Sequence, residues 1–294
     1  MRASEPSRTV VGAAAYRAAH QSADGGAIFL DPYARRILGE AACAEADLKA
    51  QDPATRSFRL FMAARSRYAE ECLDLSVARG VRQAVILGAG LDTFALRNPH
   101  AGLKVFEVDH PATQSWKQMR LSETGLTQSL PTFVPVDFEH EDLKTRLVDS
   151  GFEPEAPSFF IWLGVVPYLT EASVYTLLRF VAGLPSASIV FDYSEPLENY
   201  SPERRARAAE MGARTAAAGE PWLTHFDPKE IAERLLSLGF TSLEDIGPTE
   251  MARRFFGLPR DAPDRGAGPH VILAGKQGNP RDVELRQSSW PQLS

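Results

Sequence analysis

A glycine turn is the first feature of this sequence that indicates chemistry. Gly88, Ala89 and Gly90 follow directly on the apolar run Ala84 to Leu87. Glycine has no Cβ, so its backbone turns sharply and lets a ligand approach closely, and the free N–H groups of a following helix favour an anionic group. A complete dinucleotide fingerprint has a third glycine where Thr93 stands here. The turn therefore predicts a binding loop but does not by itself identify the ligand.

Acidic side chains follow the next two apolar runs. Asp109 ends the run that starts at Lys104, about 20 residues after the glycine turn, where a carboxylate would meet the hydroxyls of an adenosine ribose. Glu107 lies on the same side of that strand because strand side chains alternate. After a third apolar run, Asp137 and Phe138 offer an acid for an adenine amino group and a ring for its face. These strand ends predict one nucleoside-shaped site, and the alternative for each aspartate is a cap on the following helix.

Short apolar runs alternate with helical segments from residue 84 onward, which predicts a parallel sheet covered by helices on both faces. Five strands are predicted at 84–87, 104–108, 132–136, 159–163 and 188–193, with crossover helices at 111–123, 139–150 and 171–182. The alternation resumes with a weak strand at 241–246 and a strong one at 270–274. The predicted fold class is therefore α/β, with a seven-stranded, mostly parallel, doubly wound sheet.

The segments before and within the sheet carry helical signals. Aromatic and aliphatic side chains recur every three or four residues from Thr55 to Arg79, and Asp31 with Pro32 is typical of a helix start. An Ala/Arg-rich stretch at 202–218 interrupts the alternation and is interpreted as an insertion. The predicted boundaries are 1–80 for an N-terminal helical cap, 81–278 for the sheet domain, 197–224 for the cap insertion within it, and 279–294 for a polar tail.

Composition limits the classes of function. A formal charge of −6, from 32 basic and 38 acidic residues, argues against nucleic acid as a partner. No apolar stretch is long enough for a membrane span, and the segment from Met1 to Val11 lacks the apolar core of a secretory signal. We therefore expect a cytoplasmic protein with no membrane partner. Cys43 and Cys72 lack the spacing of metal ligands, so no metal site is expected.

Together these motifs resemble the leucine carboxyl methyltransferase family, in its bacterial branch of S-adenosylmethionine-dependent O-methyltransferases. The resemblance is carried by Ile86 to Phe94, Phe106 to Asp109 and Pro135 to Asp137, with supporting segments at 31–33, 64–68, 162–169 and 219–222. It implies a class I methyltransferase fold, which is Rossmann-like and has an antiparallel last strand. It also implies that the N-terminal helices and the insertion after strand five form a cap over the substrate.

The resemblance further implies the cofactor S-adenosyl-L-methionine. In that assignment Gly88, within the glycine turn, lies against the methionine part of the cofactor, and Asp109 holds the ribose hydroxyls. Asp137 and Phe138 hold the adenine.

One further position, an arginine, matches the family, and another position departs from its pattern. Arg65 matches an arginine that pairs with the cofactor's carboxylate, although the spacing of Arg67 leaves the choice between the two open. Many relatives have a glutamate where this chain has Leu163, before Gly164. A carboxylate that would line the cofactor site is thus absent, which weakens any simple transfer of the substrate assignment.

The methyl acceptor is expected to be a small molecule that carries a carboxyl or hydroxyl group. A carboxylate needs no general base, whereas a hydroxyl benefits from one. His225 is the candidate base because it stands beside the insertion, and its alternative role is to close the helix cap at Asp227. Tyr193, at the end of strand five, is expected either to shape the acceptor pocket or to support the sheet edge.

Two other classes of function are compatible with this fold. A catalytically silent binding or scaffolding protein of the same fold is kept open by Leu163. An NAD-linked oxidoreductase is disfavoured because Thr93 replaces the third glycine and no Tyr-x-x-x-Lys pair follows.

Overall fold

The computed structural model describes residues 8–138, 140–217 and 219–276, and in these residues seven strands form one sheet. The strands are β1 Gln83–Leu87, β2 Lys104–Asp109, β3 Thr132–Pro135, β4 Ser158–Trp162, β5 Ala187–Ser194, β6 Ser242–Ile246 and β7 Pro269–Gly275. Their order is β3-β2-β1-β4-β5-β7-β6, and only β7 runs antiparallel to its neighbours. The predicted fold class, including the antiparallel last strand, is confirmed.

Helices cover both faces of the sheet and precede it. They are α1 Arg8–Ala23, α2 Ala34–Leu38, α3 Glu40–Ala50, α4 Pro53–Ala78, α5 Phe94–Arg97, α6 Pro111–Glu123, α7 Leu143–Asp149, α8 Glu171–Gly183, α9 Pro202–Ala217, α10 Pro228–Ser237 and α11 Pro248–Phe255. Short 3₁₀ turns lie at Val166–Tyr168 and Leu197–Asn199.

The alternation of side chains along β1 divides the core into two layers. Val85 and Leu87 pack into a cluster that includes residues of α8 and α10, whereas Ala84 and Ile86 pack into a cluster that includes residues of α4 and α11. All four side chains are almost completely buried. Burial on both faces accounts for the continuous apolar run, which is typical of a central parallel strand.

The first three helices pack over the carboxyl edge of β1. Ala14 and Ala18 of α1 share a cluster with Leu91, the residue after the glycine turn. Arg17 of α1 donates to the carbonyl oxygen of Leu91, and its Nη1 lies 3.3 Å from Oδ2 of Asp92. The N-terminal helices are therefore fastened to the loop that the sequence predicts as a binding site.

Two helix starts differ from their predictions. Asp142 caps α7 by accepting from the N–H of Thr145 at 2.9 Å, so this helix begins at Leu143 rather than at residue 139, which lies outside the described residues. Asp31 does not cap α2, which begins at Ala34. Its side chain is buried instead, and Oδ2 accepts from Oγ1 of Thr93 at 2.7 Å. Its Oδ1 still accepts from the N–H of Tyr33 at 3.0 Å, so Asp31 keeps a local turn contact beside its tertiary partner.

The insertion is attached to the rest of the protein by residues near the start of α9. Helix α9 buries none of its described side chains. Arg204 donates to the carbonyl of Ala267 at 2.8 Å, and Arg205 donates to that of Leu197 at 2.9 Å. The predicted tail at 279–294 lies outside the described residues. Within the described ranges, no helix has the length and apolar character needed to cross a membrane.

Candidate cofactor and active site

The glycine turn has the geometry that the sequence predicts. Gly88 and Gly90 have φ values of +63° and +49°, in the left-handed region that favours glycine. A Cβ at Gly88 would overlap the side chain of Val165, and one at Gly90 would lie 3.1 Å from Val10 Cγ1. The N–H groups of Gly88 and Ala89 both donate to the carbonyl of Val108, at 2.8 and 3.1 Å. The turn is therefore held against β2 and leaves little room for a side chain at either glycine.

Asp109 connects β2 to this turn. Its Oδ2 accepts from the N–H of Gly90 at 2.6 Å, and its Oδ1 accepts from the N–H of His110 at 2.7 Å. Burial raises the pKa of Asp109, and the two backbone N–H groups oppose that rise. The cap of α6 comes from His110, whose Nδ1 accepts from the N–H of Ala112 at 3.2 Å. Asp109 is thus not merely the cap of the following helix.

Glu107 lies two residues earlier and is engaged elsewhere. It is buried and forms an ion pair with Lys117 of α6, which is also buried. Burial raises the pKa of Glu107 to about 7, although Lys117 opposes the rise. This pair fastens α6 to the sheet, so the carboxylate that faces the glycine turn is that of Asp109.

Asp137 and Phe138 lie beside Asp109 at the carboxyl edge. The N–H of Val136 donates to the carbonyl of Asp109 at 2.9 Å, which brings the end of β3 next to that of β2. Oδ2 of Asp137 lies 2.9 Å from Nδ1 of His140, and a third of the Asp137 side chain is exposed. Phe138 is half-buried against the core. The three predicted strand ends are therefore adjacent in space.

Arg65 reaches the same edge from α4. Its Nη1 lies 2.5 Å from Oδ2 of Asp192, and Oδ1 of Asp192 accepts from the N–H of Gly164 at 2.5 Å. Nε of Arg65 is buried and has no hydrogen-bond partner in the described part of the chain. Arg67 points elsewhere, with its Nε 2.8 Å from Glu71. Of the two arginines that the sequence leaves open, Arg65 is the one beside Gly164.

Asp192 is the polar residue at this edge that the sequence analysis missed. Leu163, at the position of the family glutamate, packs against the apolar cluster beside α4. A carboxylate is nevertheless present at this edge, on Asp192 of the neighbouring strand β5, where it pairs with Arg65. The signal was available, because Asp192 and Tyr193 are adjacent and must point to opposite faces of the sheet.

Tyr193 lies on the other face and is buried in the core. Its ring stacks on His270 at a centroid distance of 5.0 Å, and its hydroxyl donates to Oδ2 of Asp245 at 2.5 Å. The antiparallel register places His270 opposite Tyr193, which explains the stacking. Of the two roles expected for Tyr193, this position does not favour shaping the acceptor pocket. Its structure fits the alternative role, support of the sheet edge.

His225 lies where the insertion returns to the sheet. The N–H of Leu223 donates to the carbonyl of Pro167 at 2.6 Å, and that of Phe226 donates to the carbonyl of Ser194 at 3.0 Å. This segment therefore bridges the loop after β4 and the end of β5. Asp227 caps α10 by accepting from the N–H of Lys229, without help from His225.

The His225 ring is half-buried, packs edge-on against Trp222 at 6.3 Å, and makes no hydrogen bond to a described residue. Burial lowers its pKa. The imidazole is therefore neutral at neutral pH, which is the state that accepts a proton.

A hydrogen bond joins the N-terminal helices to the insertion. The N–H of Thr9 in α1 donates to Oε2 of Glu220 at 3.0 Å, which joins the N-terminal helices to the end of the insertion. Burial raises the pKa of Tyr168, which lies in the 3₁₀ turn after β4, while its hydrogen bond with Trp222 opposes the rise. No group of three potential metal-ligating side chains occurs among the described residues.

The strand order, with its antiparallel β7, and the glycine turn held by an acid at the end of β2 form the Rossmann-like fold of class I methyltransferases. The model of the leucine carboxyl methyltransferase family matches residues 10–182, and the chain belongs to this family. YktD of Bacillus subtilis, named as an S-adenosyl-L-methionine-dependent methyltransferase, is 37% identical over 221 residues, which cover 73% of this chain and 72% of that protein. A Mycobacterium avium protein named likewise is 31% identical, over 77% of this chain and 69% of its own.

A solved structure is also similar at low identity. Human N-acetylserotonin methyltransferase in complex with S-adenosylmethionine is 17% identical, with a TM-score of 0.46, over 89% of this chain and 69% of that chain. The family membership settles the cofactor as S-adenosylmethionine and removes the NAD-linked oxidoreductase from consideration.

Proposed function

We propose that the protein transfers a methyl group from S-adenosylmethionine to an oxygen atom of a small-molecule acceptor. One observation carries the cofactor side of this proposal: the buried Nε of Arg65 has no hydrogen-bond partner among the described residues. An unpaired buried N–H is costly in free energy, so it indicates a ligand group that completes the site. The carboxylate of the cofactor's methionine part has the charge and the shape to do so.

The other residues of the edge fit the remainder of the cofactor. Gly88, directly after β1, would contact the methionine part through its backbone, since the position of its missing Cβ faces Val165. Asp109, with lone pairs not used by its two backbone donors, would hold the ribose hydroxyls. Asp137 and Phe138, at the end of β3, would hold the adenine.

The cofactor and the protein contribute different parts of the methyl transfer. S-adenosylmethionine supplies a methyl group that its sulfonium already activates for transfer to a nucleophile. The protein must align the acceptor oxygen and exclude water. The N-terminal helices and the insertion, joined through Thr9 and Glu220, are the part of the chain that would close over the acceptor.

A carboxylate is the first candidate for the acceptor. The family is named for a carboxyl methyltransferase. A carboxylate is ionised well below neutral pH and attacks without a general base. In this case His225 contributes to the shape of the pocket and transfers no proton.

A hydroxyl is the second candidate, and the position of His225 favours it. The ring lies at the junction of the cap with β4 and β5, is neutral because burial lowers its pKa, and has no hydrogen-bond partner among the described residues. Such an imidazole is suited to accept the proton of a hydroxyl as the methyl group is transferred.

The pH dependence of turnover separates these acceptors. Acceptors would be found by measuring the release of S-adenosylhomocysteine from mixtures of small carboxylic acids and hydroxyl compounds. With a carboxylate, the rate should stay nearly flat from about pH 6 to 9, and His225→Ala should stay active. With a hydroxyl, the rate should fall in acid through the lowered pKa of His225, and His225→Ala should lose about 10²-fold or more.

Cofactor binding without turnover would instead favour a catalytically silent binding or scaffolding protein. If the protein bound S-adenosylhomocysteine but methylated none of the oxygen acceptors, the enzymatic proposal would fail while the cofactor site stood. If it bound neither S-adenosylhomocysteine nor S-adenosylmethionine, the assignment of Arg65 and Asp109 as cofactor ligands would fail as well.

A further inference from the structure

Asp192 is buried between two donors from different elements. Its Oδ2 lies 2.5 Å from Nη1 of Arg65, on α4, and its Oδ1 accepts from the N–H of Gly164, just after β4. The Arg65 and Asp192 side chains are 9% and 8% exposed. Because each carboxylate oxygen meets a different donor, Asp192 fixes where the guanidinium stands relative to the end of β4.

The pairing leaves one particular edge of the guanidinium unused. A guanidinium presents its five N–H donors in a rigid fork. In Arg65 the donor that pairs is Nη1, while Nε and Nη2 have no hydrogen-bond partner among the described residues. The Nε–Nη2 edge is the face that binds a carboxylate through two parallel hydrogen bonds.

Gly164 leaves room beside that edge. Its φ is +73°, and a Cβ at this position would lie 2.8 Å from Nη2 of Arg65. Any other residue would therefore press on the nitrogen that is left unpaired. Asp192 thus holds the guanidinium at Nη1, and the missing side chain of Gly164 spares Nη2 a close contact.

We propose that Asp192 is a positioning residue, which orients Arg65 so that its Nε–Nη2 edge receives the carboxylate at the amino-acid end of the cofactor. This inference rests on the proposed function, because it requires that Arg65 bind that carboxylate. It adds a residue that acts through Arg65 and that is not itself a ligand.

The test compares two ligands that differ only at the amino-acid end. S-adenosylhomocysteine has the carboxylate, whereas 5′-methylthioadenosine keeps the nucleoside and the thioether and lacks it. Asparagine at position 192 offers one acceptor oxygen where aspartate offers two, so either Arg65 or the N–H of Gly164 loses its partner. By calorimetry, Asp192→Asn should bind S-adenosylhomocysteine about tenfold more weakly and change its affinity for 5′-methylthioadenosine by less than about twofold.

A double-mutant cycle tests whether Asp192 acts through Arg65. Arg65→Ala alone should weaken S-adenosylhomocysteine binding, and adding Asp192→Asn should then have little further effect. Asp245→Asn serves as the matched control, because it removes a carboxylate from the neighbouring part of the sheet that contacts Tyr193 and His270 rather than Arg65. It should lower the melting temperature without changing the ratio of the two affinities.

Several outcomes would overturn the inference while the proposed function stood. Equal weakening of both ligands in Asp192→Asn would show a merely structural role. Tighter binding of S-adenosylhomocysteine would show that Asp192 competes with the ligand for Arg65. A full effect of Asp192→Asn in the Arg65→Ala background would show that Asp192 acts independently. Failure of the wild type to bind either ligand would instead reject the proposed function, and with it this inference.

Discussion

Asp109 places a buried carboxylate between the glycine turn and the end of β2. Both of its oxygens accept backbone N–H groups and keep lone pairs for further donors. Asp109→Ala should therefore weaken S-adenosylhomocysteine binding by about 1 to 3 kcal/mol, since the ribose hydroxyls would lose their partner in a buried site. Titration calorimetry on the purified variant measures this loss directly.

Asp142 provides the matched control for that substitution. It also accepts a backbone N–H at a helix start, from Thr145, but it does so on an exposed part of the surface. Asp142→Ala should cost about 1 kcal/mol of stability, as the loss of a helix cap does, and leave the affinity for S-adenosylhomocysteine unchanged. Unchanged affinity in Asp109→Ala as well would show that Asp109 serves the fold alone.

Local sequence signals predicted most of the helices and strands. The bounds of α6 were predicted to the residue, because Pro111 and the polar end of the helix are local signals. The strands were predicted to within one residue at either end, because apolar runs between turn residues are also local signals. What could not be predicted is which side chains meet across the sheet. The buried roles of Asp31 and Tyr193 depend on partners 62 and 52 residues away.

The attachment of α1 to the glycine turn predicts a role in cofactor binding. Arg17 contacts Asp31 and Asp92, and although burial opposes it, Arg17 and neighbouring cations hold the pKa of Asp92 below its usual value. Arg17→Ala should therefore cost about 3 kcal/mol of stability, because two largely buried carboxylates lose a partner. It should also weaken S-adenosylhomocysteine binding, because Arg17 donates to the carbonyl of Leu91, next to the turn.

Arg35 offers a control on the same group of helices. It pairs with Asp47 at 2.8 Å on the exposed side of α2 and α3, away from the turn. Arg35→Ala should leave cofactor affinity unchanged and cost less than about 1 kcal/mol. If Arg17→Ala lowered only the melting temperature and left the affinity intact, α1 would be a cap on the acceptor side with no part in holding the glycine turn.

One buried network joins the outer strands of the sheet to the start of the insertion. His270 on β7 lies between two carboxylates, with Nδ1 3.0 Å from Asp245 of β6 and Nε2 3.2 Å from Glu195 after β5. Glu195 also accepts from Asn199, in the turn that leads into α9. Burial disfavours the charged imidazole, but the two carboxylates outweigh it and raise the pKa of His270.

This network makes the stability of the protein depend on pH. A histidine whose pKa is raised in the folded state stabilises fully below its unfolded pKa of about 6.5, and this contribution is lost as pH rises through the folded value. His270→Gln should therefore be less stable than the wild type by about 1 to 3 kcal/mol near pH 6, because it leaves buried carboxylates without a full set of donors. The gap between the two proteins should narrow towards pH 9. Urea unfolding of both proteins across this pH range measures the gap. Glu107 is present in both proteins, so its titration cancels in the comparison and the remaining difference belongs to His270. A gap that stayed constant or widened with pH would show that His270 is neutral in the folded protein and that the two carboxylates do not hold its proton.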